Sequence, residues 1–198
     1  MKLGDKVLRY WRTRVAMQYM PKNISNILDI GCDEGYLLNK ISNAFTYKVE
    51  IDPRLSKNKA VNGAKIYKAA FPRDMHVLND SKPYDVIFAL AVIEHFSTDD
   101  LVASLEIIPS LLTTKGRLII TVPHPMVDRI LELLIFLRLI DGQVTDEHHG
   151  FHPKDIVNYF GRTLRLIKHK RFQFGMNNVF VFERTNQNDA TDNINAMP

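Results

Sequence analysis

The segment that most restricts the fold is NILDIGCDEGYLL, residues 26–38. Its first five residues form an apolar run, the pattern of a strand buried on both faces of a parallel sheet. The chain then turns through Gly31, Cys32 and Gly35 and continues into a segment read as a helix over 35–44. Parallel strands need a long crossover between them, usually a helix. The rest of the chain should therefore alternate in the same way.

It does. Strands are expected at 47–51, 64–67, 84–89 (YDVIFA) and 117–122, and Thr98 opens a helix whose first turn carries Asp99 and Asp100, which suit its dipole. Ahead of the first strand, Leu8, Trp11, Val15 and Tyr19 recur at three- and four-residue steps, one face of a helix over 5–20 that Pro21 stops. After Pro123 and Pro125 come an apolar helical segment at 126–140, a His-rich loop and a short helix at 153–160. Two β runs, 164–174 and 179–182, close the chain about the turn Gly175-Met176-Asn177-Asn178. This order predicts an α/β, Rossmann-like doubly wound sheet, mostly parallel, of seven strands. The C-terminal hairpin is expected to add one antiparallel strand at its edge.

Composition permits this. With 198 residues, 45% hydrophobic and 24% charged, the chain buries about 70% of its unfolded surface without a metal or disulfide staple. One domain is expected over 1–185, with 1–21 as an N-terminal lid helix, 123–160 as a cap region and 186–198 as a disordered tail. A single cysteine, Cys32, excludes an internal disulfide and a thiolate cluster, so a reducing compartment, the cytoplasm, is the simplest reading. The N-terminus intersperses bases among apolar residues and lacks the form of a secretory signal. The most apolar stretch, 130–140, contains Glu132 and Arg138 and falls short of the ~20 apolar residues of a membrane span. Net charge is +4 with acids and bases interspersed, so nucleic acid is not an expected partner. Peripheral lipid contact through 126–140 and the oligomeric state stay open.

A glycine turn brings backbone N–H groups close to a ligand at a helix start, where a negative group is favoured. The spacing here is G-x-x-x-G, which matches neither the dinucleotide fingerprint nor a P-loop. Twenty-one residues beyond Asp29, Glu50 stands at the end of the second strand, where an acid can accept hydrogen bonds from both hydroxyls of a ribose. Asp29, the turn and Glu50 together point to a nucleoside cofactor with an amino-acid-like charged end.

The set resembles the class I S-adenosylmethionine-dependent methyltransferases, whose first motif is similar to D-x-G-x-G-x-G and whose second strand ends in an acid. YDVIFALAVIEHF at 84–96, KGRLIITVPHP at 115–125 and the final hairpin extend the resemblance over 24–183. It implies that Gly31 and Gly35, with Cys32 between them, pass the methionine part of S-adenosyl-L-methionine, with Asp29 near its ammonium group. Glu50 would hold the ribose, Ile51 would pack on adenine, and the backbone at Leu90 would border the sulfonium. Asp33 replaces the motif's middle glycine. The acid often found beside the adenine amino group is missing, since KAAFPRDM offers Ala70 and Phe71, with Asp74 late. Phe71 therefore joins the expected cofactor-binding residues.

Methyl transfer requires alignment above all, and a base only where the acceptor must lose a proton. His95, His124, His148 and His149 lie on segments expected at the carboxyl end of the sheet, with His124 and His149 as the expected catalytic pair. Glu94 and His95 resemble part of the magnesium site of small-RNA 2′-O-methyltransferases, but Ala91 stands where that site has another glutamate. No metal is expected. The expected function is methyl transfer to an oxygen or nitrogen of a small or medium-sized acceptor. Alternatives are a catalytically silent cofactor-binding regulatory module, an RNA 2′-O-methyltransferase with a partial metal site, and an NAD-dependent oxidoreductase.

Overall fold

The computed structural model describes residues 3–32, 35–41, 47–78, 82–124 and 153–185. Eight strands form one sheet in the order β3-β4-β2-β1-β5-β6-β8-β7. They are β1 (Asn26–Ile30), β2 (Tyr47–Ile51), β3 (Lys59–Val61), β4 (Ala64–Tyr67), β5 (Tyr84–Leu90), β6 (Leu112–Pro123), β7 (Arg165–Phe172) and β8 (Asn177–Glu183). The helices are α1 (Leu3–Met17), α2 (Thr98–Leu111) and α3 (Pro153–Phe160).

Strands β4, β2, β1, β5 and β6 are parallel. The chain winds from β1 toward β2 and β4 on one side and later toward β5 and β6 on the other. The order thus reverses between β1 and β5, the place where open α/β sheets bind ligands at their carboxyl ends.

Two features correct the sequence reading of the sheet. There are eight strands rather than seven, because Lys59–Val61 folds back through Asn62 and Gly63, both at positive φ, and pairs antiparallel with β4. The C-terminal hairpin also does more than add an antiparallel edge: β8 is inserted antiparallel between β6 and β7, and β7 forms the edge.

Both faces of the central strands are buried, which explains their continuous apolar runs. On one face Leu28, Ile87, Ile120 and Phe182 pack with Leu101 and Ile108 of α2 and Ile156 and Phe160 of α3. On the other, Ile27, Phe88, Ile119 and Val181 pack with Val15 and Ala16 of α1 and with Leu37 and Leu38. Burying each such Leu, Ile, Val or Phe contributes about 1.5–3 kcal/mol.

Helix α2 starts as its acids suggest. Ser97 accepts from the Asp100 N–H at 3.2 Å and donates its own N–H to the Asp100 carboxylate at 3.3 Å, a capping box. The expected helix over 35–44 is, within the described residues, a turn at 35–37 followed by a 3-10 helix at Leu38–Lys40. The expected inward face of α1 is also rotated. Thr13, Val15 and Ala16 are buried, Arg12 is half-buried, and Trp11 lies on the outside. The apolar segment 126–140, His148, His149 and the tail 186–198 lie outside the described residues.

Candidate functional site

At the carboxyl end of β1 the chain leaves the sheet through Gly31, whose N–H donates to the Ile51 carbonyl at 2.8 Å. Gly31 adopts φ +75, and a Cβ there would come within 2.6 Å of Cγ2 of Val92. Gly35 adopts φ +85, and a Cβ there would come within 2.8 Å of Oε2 of Glu50. Each glycine thus serves both a left-handed turn and a close approach. One admits Val92, the residue after the β5 turn, and the other admits the acid at the end of β2.

Parallel register sets Asp29 beside Glu50 on one side and Phe88 on the other. Both carboxyls are buried, and so is Asp52 just beyond β2. Burial, reinforced by the charges of Glu50 and Asp52, raises the Asp29 carboxyl well above the ordinary range. Burial likewise pushes Glu50 up to about 7, opposed by a hydrogen bond from Cys32 and by the charges of Lys59 and Lys48. Asp52 differs in having its own cation: it accepts the Arg54 backbone N–H at 2.8 Å and pairs with the Arg54 guanidinium at 3.1 Å.

Glu50 Oε2 is buried without a hydrogen-bond partner, a costly arrangement for a carboxylate. A cavity of about 60 Å³ adjoins it, lined by Gly35, Asn39, Lys48, Lys59 and Asn62 among others. An orphaned acceptor at the end of the second strand fits a ligand hydroxyl donor. The Cys32 thiol is buried, and burial, reinforced by the charges of Asp29, Glu50 and Asp52, raises its pKa. It is therefore a thiol rather than a nucleophilic thiolate.

The remaining expected residues surround the same strand ends. Ile51 is buried at the tip of β2, and Leu90 is half-buried at the tip of β5, where Ala91 follows at φ +57. Phe71 is buried and stacks on Phe96 with centroids 6.3 Å apart, so its ring belongs to the core. Asp74 accepts the Ala70 N–H at 2.8 Å and closes that turn. His124 follows β6, half-buried, its N–H donating to the Met176 carbonyl at 2.8 Å. His149, expected beside it, is outside the described residues.

The structure adds a group the sequence reading did not assign a role beyond a metal remnant. Glu94 is buried with Oε2 unpartnered, while its neighbour His95 is exposed. Burial raises Glu94 to about 7, countered by its own backbone N–H and by the charge of Arg12 on α1. Burial in turn lowers the Arg12 pKa, with Glu94 opposing that shift. Arg14, two residues further along α1, is exposed and donates to the Tyr10 hydroxyl at 3.4 Å. The signal lay in helical spacing, since Leu8, Arg12 and Val15 share a face. Among the described residues, no three His, Cys, Asp or Glu side chains gather as a metal site. No helix among those residues is long and apolar enough to cross a membrane.

Comparison with known proteins gives this geometry a family. The profile described as "Methyltransferase domain" matches residues 2–171. No curated protein sequence matches the chain. The N-methyltransferase NodS from Bradyrhizobium japonicum WM9 is similar in structure at TM-score 0.59 and 13% identity, over 93% of this chain and 100% of that one. Magnesium protoporphyrin IX methyltransferase (ChlM) from Synechocystis PCC 6803, solved with bound S-adenosylhomocysteine, is similar at TM-score 0.54 and 18% identity, over 91% and 81%. The small RNA methyltransferase HEN1 is similar at TM-score 0.65 and 18% identity, over 90% of this chain and 25% of that one. At such identities the structures establish the fold, and the profile establishes the family. The chain belongs to the methyltransferase domain family, the class I S-adenosylmethionine-dependent methyltransferases, whose cofactor is S-adenosylmethionine.

Proposed function

We propose that the chain transfers the methyl group of S-adenosylmethionine to an oxygen or nitrogen of a small or medium-sized acceptor. The observation that supports this most directly is the buried, unpartnered Oε2 of Glu50 at the end of β2. In this reading Glu50 accepts from the ribose hydroxyls, while Asp29 and the turn through Gly31, Cys32 and Gly35 receive the amino-acid end. Ile51 and the chain at Phe71 border the adenine, and the Leu90 backbone borders the sulfonium.

The bound cofactor supplies a methyl group on a good leaving group, so the chain's task is to hold the acceptor in line with it. His124, at the end of β6, or His149 takes the acceptor's proton where one must be lost. Residues 1–185 act as one domain, with 1–21 as its lid and 123–160 as its cap. A single, buried cysteine suits a cytoplasmic protein.

Calorimetry with S-adenosylmethionine, S-adenosylhomocysteine and NAD tests the cofactor, and transfer of labelled methyl into metabolite mixtures tests the reaction. Binding of the first two and silence with NAD is the expected result. NAD binding in their place would indicate an oxidoreductase. Cofactor binding without transfer to any acceptor would indicate a regulatory module.

A further inference from the structure

The outer face of α1 and the turn between β7 and β8 form one apolar ridge. Phe174 is 91% exposed, at φ +55 in that turn, and Trp11 packs edge-on against it with centroids 5.6 Å apart. Val7, 52% exposed, and Tyr10, 48% exposed, continue the ridge along α1. Residues 7, 10, 11 and 14 follow helical spacing, so these side chains share one face. The turn is fastened to the helix, because Gln173 Nε2 donates to the Leu8 carbonyl at 2.8 Å, and Gln173 Oε1 in turn accepts from Asn177 at 2.6 Å. A soluble surface rarely presents such a cluster on a rigidly held turn without a use for it.

Charge is concentrated on the same two elements. Together α1 and β7 hold eight of the chain's 26 Lys and Arg but only one of its 22 Asp and Glu, so the remainder carries 18 bases and 21 acids. Lys6 and Arg14 are exposed at the two ends of the α1 ridge. Lys168 and Lys170 are exposed opposite Val181 and Val179, whose side chains face the α1 side of the sheet. Directly paired residues share a face, so both lysines stand on the side of the ridge.

Aromatic and aliphatic side chains flanked by Lys and Arg are what a helix lying at a bilayer interface presents. Single-stranded nucleic acid would need open ring faces for its bases. Trp11 and Phe174 instead meet edge to face at 86°, and the aliphatic Val7 offers nothing to stack on. We infer that this ridge docks the protein on an anionic lipid surface, with Trp11 and Phe174 entering the headgroup region and Lys6, Arg14, Lys168 and Lys170 meeting lipid phosphates. The turn that carries Phe174 also bonds to His124 through Met176. Docking therefore brings the carboxyl end of β6 to the membrane.

Trp11 is the chain's one tryptophan, so its emission reports on the ridge directly. The 198-residue chain is mixed with vesicles of phosphatidylcholine alone or of phosphatidylcholine with phosphatidylglycerol. With the anionic vesicles, Trp11 emission should shift to shorter wavelength and be quenched by brominated acyl chains. Phe174→Ser should weaken partitioning by about tenfold or more, and Lys170→Ala by about fivefold at low salt. Unchanged melting temperature and S-adenosylhomocysteine affinity in both variants would show that the fold and the cofactor site are intact, independently of the methyl-transfer reading. No shift with either vesicle overturns the inference. So does equal binding to both vesicles, a shift that follows protein concentration without lipid, or binding of single-stranded RNA with no response to vesicles.

Discussion

Gly35 and Glu50 occupy space that only one of them can fill: a Cβ on Gly35 would stand 2.8 Å from Oε2 and 3.3 Å from Oε1 of the Glu50 carboxylate. The second glycine of the turn thus governs where the acid of the neighbouring strand rests. Gly31 has the same relation to Val92 across the β1 to β5 boundary.

Gly35→Ala should therefore act on binding as well as on stability. A non-glycine residue at φ +85 costs about 1–2 kcal/mol by itself, and the methyl group also displaces the carboxylate. S-adenosylhomocysteine affinity, read by calorimetry, should fall with the melting temperature. Gly31→Ala should be partly rescued by Val92→Ala, since one of its two penalties is contact with Val92. An affinity unaffected by Gly35→Ala would detach Glu50 from the turn.

Glu50→Gln should weaken S-adenosylhomocysteine binding by about 10- to 100-fold, the loss of hydrogen bonds to a charged acceptor. Its effect on the free protein runs the other way at neutral pH. The folded state raises Glu50 from 4.5 to about 7, so between those values the folded chain binds more protons than the unfolded chain. Stability from this group is therefore present in acid and is lost as pH rises through about 7. Urea unfolding across this range should show a smaller decline for Glu50→Gln than for the parent. Cofactor affinity of the parent should rise over the same interval, as the carboxylate ionises.

Arg12→Met leaves buried Glu94 without its opposing cation. Loss of that opposing charge should cost on the order of 1 kcal/mol at pH 8. The cost should shrink near pH 5.5, where Glu94, raised to about 7, is protonated. A double-mutant cycle with Glu94→Gln should show the two effects to be strongly non-additive. Equal losses at both pH values would mean that Arg12 contributes by packing rather than by charge.

His124→Gln separates proton transfer from positioning. As the base for an acceptor hydroxyl, His124 should be worth about 10²- to 10⁴-fold in kcat, with KM and S-adenosylhomocysteine affinity nearly unchanged. Turnover at the parent rate would take His124 out of the reaction. The same substitution at His149 would then decide whether either histidine acts.

The central strands were legible because burial on both faces leaves continuous apolar runs at 26–30 and 84–90. Strand β3 was not, because Lys59, Ala60 and Val61 are all exposed and give no alternation. Its one local cue was the Asn62-Gly63 turn. The insertion of β8 between β6 and β7 depends on pairing across the chain, which no local pattern records. On α1, hydrophobicity placed Trp11 inward, whereas the helix turns Thr13, Val15 and Ala16 in and leaves Arg12 half-buried, where the Glu94 charge favours its cation. Glu50 was found from its spacing. Glu94 was harder, since a charged pair followed by Asp99 and Asp100 reads as surface, and its burial arises only in the folded chain.

The side-by-side register of Asp29 and Glu50 also gives the site a proton inventory. Two buried acids in adjacent strands are each raised by their surroundings, and Glu50, pushed up to about 7, is partly protonated at neutral pH where a free carboxylate would be ionised. A cationic ligand settling beside them reverses that preference, and the protons leave as it arrives. The heat of binding should then depend on the buffer that receives them, and titrations in phosphate and in Tris should disagree by the number released.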